Sequence, residues 1–210
     1  RRKAKELRRL RKRQAKGMSR VWADFLHRRQ FLTQIGYLGE DGQPGAGANL
    51  LKHIQIEEIF TTELALSGLV DTLSPEILFG VLCGMTNSLA PTVRLRDKLY
   101  GDAQKVAKKI NDIRFSDPVT GAERITGIEA TWDPDLIAFG VQWAEGRTLS
   151  EISLLYWSNT DISGQLVSGF RRAKDLASQL RQVFREDEIL ADRLSELMRR
   201  VSRDEVEVVD

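Results

Sequence analysis

The sequence is poor in the residues from which reactive or cross-linked sites are built. In 210 residues it holds one cysteine, Cys83, and two histidines, His27 and His53. A single thiol makes no disulfide framework and fits a reducing compartment. Two imidazoles and one thiol are too few for a zinc cluster. Long apolar runs are also missing: none approaches the ~20 residues that cross a bilayer, and no apolar segment near the start has the form of a secretory leader. A soluble, cytoplasmic protein without membrane contact is expected. Catalytic signatures are lacking too, with no G-x-x-x-x-G-K-[ST], no H-E-x-x-H and no local Ser–His–Asp or Cys–His pattern. Glu57 and Glu58 are adjacent and cannot share one helix face, so they form no paired-carboxylate site. Cys83 lies in an apolar stretch and reads as a small inert hydrophobe. On its own the chain is not expected to be an enzyme, and no metal is expected.

What is present is a strong division of charge. The formal net charge is +2, but residues 1–20 carry eleven Lys or Arg and one acid, a net +10. The remaining residues carry 21 basic and 29 acidic side chains, a net −8. A basic arm is joined to a mildly acidic body. The chain opens without Met and in mid-pattern, as a piece of something longer would. The arm RRKAKELRRLRKRQAKGM has Ala4, Leu7, Leu10 and Ala15 at roughly helical spacing, which predicts a helical arm or linker. Its cations are either a solvated surface or a phosphate-contacting one.

Residues 21–54 form a second segment. Val21, Trp22, Phe25, Leu26, Phe31, Leu32 and Ile35 make a helical apolar stripe, for which Ser19 is a suitable N-cap. The loop GEDGQPGAGAN follows, flanked by Tyr37-Leu38 and Leu50-Leu51 as short strands. Helix, strand, glycine-rich loop and strand is the pattern that ends a winged-helix unit with a β-hairpin wing. GAGAN at 45–49 lacks the lysine of a phosphate loop and reads as a flexible wing tip.

Residues 55–210 read as a helical bundle, so the fold is expected to be mainly α. Ile56, Ile59, Phe60, Leu64, Leu66 and Leu69 give one helix, ending at Gly68. Ser74 and Pro75 open a nearly all-apolar central helix. Residues 95–114 are amphipathic. Residues 116–130 carry turn signals and two short β-branched patches. Asp133-Pro134 starts a helix that ends at Gly146, and Thr148 with Glu151 has capping-box spacing. TDIS at 160–163 caps a long helix to about Phe184, and a last helix spans about 187–206.

The helix 162–184 has two distinct faces. Ile162, Leu166, Phe170, Ala173, Ala177, Leu180 and Phe184 gather on one. Ser168, Arg172, Asp175, Gln179 and Gln182 recur at spacings of four, three, four and three on the other. That stripe is either a solvent face, braced by Arg171–Asp175 and Arg172–Asp175 pairs, or a set of planar donors and acceptors for single-stranded nucleic acid.

The segment WAEGRTLSEISLLYWSNTDISGQLVSGFRRAKDLASQLRQV, with ILADRLSELMRRVSRDEV after it, resembles the DSHCT domain, the C-terminal helical bundle of exosome-type DExH-box RNA helicases. The resemblance rests on Trp143, Gly146, Gly164, Leu166, Val167, Phe170, Arg171, Arg172, Arg203 and Asp204. EIFTTEL at 58–64 and LSPEILFGVL at 73–82 resemble two upstream motifs, so the match covers roughly 50–206, and the part before residue 50 is similar to the end of the preceding winged helix. The resemblance implies an accessory domain whose "ratchet" helix, here 162–184, faces the translocating strand. Arg172 takes the position of the strand-contacting arginine and Asp175 that of its acidic partner, with Ser168, Gln179 and Arg171 beside them. Another family arginine is Ser168 here, and the usual Glu is Asp175. The eukaryotic tail is absent, which points to a bacterial type. ATP and magnesium would belong to RecA-like motor domains of the same polypeptide, and single-stranded RNA, possibly DNA, and RNA-decay nucleases would be partners. The alternative is a non-catalytic protein-interaction bundle tethered by the basic arm.

Overall fold

The computed structural model describes residues 2–97, 99 and 101–207, with side chains described from residue 17 onward. The basic arm's side chains up to residue 16 lie outside that range. The arm's backbone is helical and does not stop at its end. Helix α1 runs from Arg2 to Gln34 without a break, so Ser19 is an interior residue and not the N-cap that the sequence suggested. One glycine costs a helix about 1 kcal/mol relative to alanine. Gly17 is carried by the strong helix formers Ala15 and Lys16 and by the apolar turn that follows.

The chain leaves α1 through Gly36, whose φ of 75° is open to glycine at no cost. Tyr37 then buries its ring and donates its hydroxyl to Glu63 Oε1 at 2.7 Å. Burial and the neighbouring carboxylate push the phenol's pKa well up. The expected wing is reduced to one antiparallel bridge, Leu38 with Pro44, and Leu50-Leu51, expected as its second strand, end helix α2 (Ala46–Leu51). Ala46, Ala48 and the two leucines prefer helix, and Pro44 cannot extend a ladder. Nor is GAGAN a loose tip. A Cβ on Gly47 would lie 2.3 Å from the Tyr37 ring, and one on Gly45 would lie 3.0 Å from the Gly36 carbonyl. These glycines serve close packing.

Beyond this the protein is a helical bundle. Its helices are α3 (Glu58–Leu66), α4 (Leu69–Thr72), α5 (Pro75–Thr86), α6 (Gly101–Arg114), α7 (Asp117–Thr126), α8 (Leu136–Ala144), α9 (Leu149–Ile152), α10 (Ser163–Val183) and α11 (Glu188–Val201). Strands β1 (Arg94–Leu95) and β2 (Tyr156–Trp157) pair antiparallel, Arg94 opposite Trp157 and Leu95 opposite Tyr156. The capping signals work as their chemistry requires: Ser74 accepts from Ile77 N–H with Pro75 in the first turn, and Thr148 and Glu151 form a reciprocal capping box.

Two stretches depart from expectation. Leu95 belongs to β1, so the amphipathic helix begins only at Gly101. Residues 117–126, read as β-branched patches between turns, form α7, with Pro118 in the first turn and Gly127 (φ 70°) closing it. Val119 and Gly121 face inward there, and Gly121 admits the Phe31 ring of α1. The patch residues are therefore a buried helix face and not a strand pair.

The core centres on α5, every residue of which from Leu78 to Thr86 is buried. α5 packs most extensively on α8 and then on α10. The α5–α8 crossing is glycine on glycine: a Cβ on Gly140 would lie 2.6 Å from the Gly80 Cα. Cys83 sits at this crossing, fully buried, and burial drives its thiol pKa up. It is inert as expected.

Candidate nucleic-acid interface

α10 starts where Asp161 accepts hydrogen bonds from Ser163 N–H (2.9 Å) and Ser163 Oγ (2.6 Å). These bonds hold its carboxyl below the usual carboxylate range. The inner face matches the sequence stripe, with Ile162, Leu166, Phe170, Ala173, Ala177 and Leu180 buried and Phe184 half-buried at the end. Phe170 stacks on Trp143 at 5.1 Å between ring centres and lies 6.0 Å from Phe79 of α5.

Trp143 is the hinge pin of a second cluster. Its indole N–H donates to the Val201 carbonyl at 3.0 Å. Arg203 lays its guanidinium over the Trp143 ring, 3.7 Å from the centre. The same guanidinium donates to the carbonyls of Trp143 (2.9 Å) and Arg147 (2.6 Å) and to Asp204 Oδ2 (2.8 Å). Asp204 holds a left-handed φ of 49° to complete that pair. Arg200 adds a bond to the Ala144 carbonyl (3.0 Å) and an ion pair with Glu76 (2.8 Å). Trp143, Phe170, Arg203 and Asp204, met in the sequence as signature residues, thus fasten the chain's last turns against α8 and α10.

The outer face of α10 is where strand-contacting residues were sought, and the structure divides them. Ser168, Arg172 and Asp175 are exposed. Among the described residues none of the three takes part in a hydrogen bond or ion pair through its side chain, so the Arg171–Asp175 and Arg172–Asp175 pairs do not form. Arg171 instead donates its Nη2 to the Glu205 carbonyl, which commits it to holding the C-terminal 3₁₀ turn Asp204–Val206. Gln179 is half-buried and its Oε1 accepts the backbone N–H of Gln55 at 2.7 Å. Gln179 thus braces the segment between α2 and α3. The stripe is bordered near its start by the segment after α5: Asn87 Nδ2 donates to the Gln165 carbonyl (3.2 Å), and Gln165 Nε2 donates to the Ser88 carbonyl (2.7 Å). Gly169 allows this approach, since a Cβ there would lie 2.7 Å from Asn87 Nδ2. Gln55, Asn87 and the C-terminal turn were invisible as neighbours, because no local pattern in the sequence ties them to α10.

The free part of the stripe is therefore Ser168, Arg172 and Asp175, with Gln182 exposed one further step along. A permanently charged planar fork beside a carboxylate and a hydroxyl has the donors and acceptors to hold a phosphate or a base edge. Elsewhere, a cleft of about 430 Å³ between α5, α6 and α8 is lined by Ser74, Glu76, Asp97, Asp102, Gln142 and Glu145 together with apolar side chains. Among the described residues no three His, Cys, Asp or Glu side chains gather as a metal ion would need, and no described helix is long and apolar enough to cross a membrane.

Compared with known families, residues 42–208 match the family model described as the DSHCT (NUC185) domain. No curated protein matches the chain.

Proposed function

Because this chain belongs to the DSHCT family, which is found in DExH-box helicases as an accessory and not a catalytic domain, we propose that it guides single-stranded RNA along the outer face of α10 in an ATP-dependent helicase. The observation that carries this reading is the isolation of Arg172. Every other signature arginine is tied down, Arg171 to the Glu205 carbonyl and Arg203 to Trp143, Arg147 and Asp204. Arg172 stands exposed on a helix whose opposite face is locked into the core. A rigid base with a free guanidinium suits a strand that must be gripped and released.

Arg172 is the principal contact, with Asp175 and Ser168 beside it. Gln179 and Arg171 set the shape of the groove. ATP and magnesium belong to RecA-like motor domains in the same polypeptide. The substrate is RNA in processing or decay, in the cytoplasm of a bacterial-type cell, with decay nucleases as partners. Changing Arg172 to Glu in the full-length helicase is expected to cut unwinding severely while ATP affinity stays as it was. Unwinding at the wild-type rate overturns the reading.

A second reading has its own observation. Met18, Val21, Trp22, Phe25 and Leu26 of α1 are exposed, with Trp22 and Phe25 stacked at 5.3 Å. An apolar stripe of this kind marks an attachment surface, and it would serve a protein-interaction bundle as well as a helicase module. Loss of strand binding on changing Arg172, with partner binding intact, separates the two.

A further inference from the structure

The small β1–β2 pair presents an aromatic ring to solvent just before α10. Alternation along a strand sends Tyr156 inward, where its ring lies 5.7 Å from Phe139, and Trp157 outward. Trp157 is 62 % exposed, although a tryptophan ring is among the largest apolar surfaces a chain can bury. Its ring is held in place. Arg96 places its guanidinium 3.9 Å from the ring centre. Arg96 is itself anchored, its backbone N–H donating to the Leu155 carbonyl at 2.8 Å and its Nε to the Tyr156 carbonyl at 3.2 Å. Directly across the ladder from Trp157 stands Arg94, exposed, with one bond to its neighbour's carbonyl, that of Val93 at 3.0 Å. Among the described residues neither arginine forms an ion pair. One face of a flat ring is thus covered by a fixed cation, the ring remains open to solvent, and a second guanidinium lies alongside.

We propose that Trp157, Arg96 and Arg94 form a base-stacking site for single-stranded nucleic acid, separate from the Arg172 stripe and placed ahead of the N-terminal end of α10. The proposal rests on the reading of α10 as a strand-contacting helix and adds a second point of contact to it. An aromatic face takes any base, and neighbouring arginines take the phosphates on either side. The position is suitable. Trp157 precedes Ser163 by a short loop, and the bonds from Asn87 and Gln165 fasten the segment that leads into β1 to the first turns of α10. Arg172 lies ~13 Å along the helix axis from Ser163 at 1.5 Å per residue, a span of a few nucleotides. The other use of such a ring is contact with a protein surface, where Leu154, also exposed, would join it.

The test is binding of a fluorescent oligouridylate of about 20 nucleotides to the whole chain, in roughly 0.2 M salt so that the basic arm is screened. Trp157→Ala is expected to weaken binding about 5- to 150-fold, the range for loss of one stacked base. Trp157→Phe, which keeps a stacking face, is expected to stay within about threefold of wild type. Trp157 is exposed, so an unchanged melting temperature will show that the Ala variant is folded. Equal affinity for Trp157→Ala and wild type overturns the stacking site and assigns the ring to a protein contact. If Arg172→Ala still weakens binding in that case, the α10 reading stands without the platform. If Trp157→Ala weakens binding and Arg172→Ala does not, the platform stands and the α10 reading falls. A wild-type chain that does not bind the oligouridylate overturns both.

Discussion

The inner and outer faces of α10 are built from alternating residues of one helix and meet opposite demands. On the inner face Phe170 is wedged between Trp143 and Phe79, and the chain's end is drawn in after it by Arg203. On the outer face Ser168, Arg172 and Asp175 are exposed and make no side-chain hydrogen bond or ion pair among the described residues. Adjacent arginines show the contrast most plainly, with Arg171 spent on the Glu205 carbonyl and Arg172 facing water. A signature that looks uniform in sequence is therefore mostly architecture, and on the outer face of α10 only a few described side chains are left without a structural partner.

Four substitutions would break or sharpen that contrast. The largest effect belongs to Phe170→Ala, which should destabilise the fold by about 3–5 kcal/mol in thermal or denaturant unfolding, as removal of a fully buried aromatic does. A loss under about 1 kcal/mol would show that the inner face is not the anchor. Arg203→Lys keeps the charge but cannot reproduce the fork that reaches three acceptors while covering Trp143, and should cost about 1.5–3 kcal/mol in the same assay. Glu57→Gln tests the ground near the brace at Gln55. Burial outweighs the Thr131 hydrogen bonds there and raises the Glu57 pKa. A carboxyl with a raised folded pKa favours the fold below its unfolded pKa and loses that contribution as pH rises through the folded value. The Gln variant, compared with wild type in melts from about pH 4 to pH 7, should therefore gain relative stability as pH rises. A gain at low pH instead would contradict the burial. The smallest change is expected for Arg172→Ala, with stability within about 0.5 kcal/mol of wild type and affinity for a single strand reduced. Marked destabilisation would move Arg172 to the structural side.

Much of this was legible beforehand, for physical reasons. The two-faced pattern of α10 survived because a 3.6-residue period over five turns leaves little room for another structure. Ser74-Pro75 and Thr148–Glu151 were readable because capping chemistry is local. What failed was also systematic. Ser19 looked like a start because it could cap, but a helix already running needs no cap. Leu50-Leu51 and residues 117–126 looked strand-like because short apolar or β-branched runs fit either period. Tertiary contacts, with Tyr37 on Gly47 and Phe31 on Gly121, decided for helix. The candidate site was half legible. Arg172, Asp175 and Ser168 stand where the stripe put them, while Arg171 and Gln179 are held by Glu205 and Gln55 across spans of 34 and 124 residues. No window along the chain contains that information.

The glycine crossing of α5 and α8 has a mechanical consequence. Where Gly80 meets Gly140 there is no layer of side chains between the two backbones, and side chains are the part of a helix interface that shears and changes rotamer. α10 rests on α5, and α5 is keyed to α8, so the helix that carries the exposed stripe is two contacts away from a crossing at which neither backbone can shift without the other.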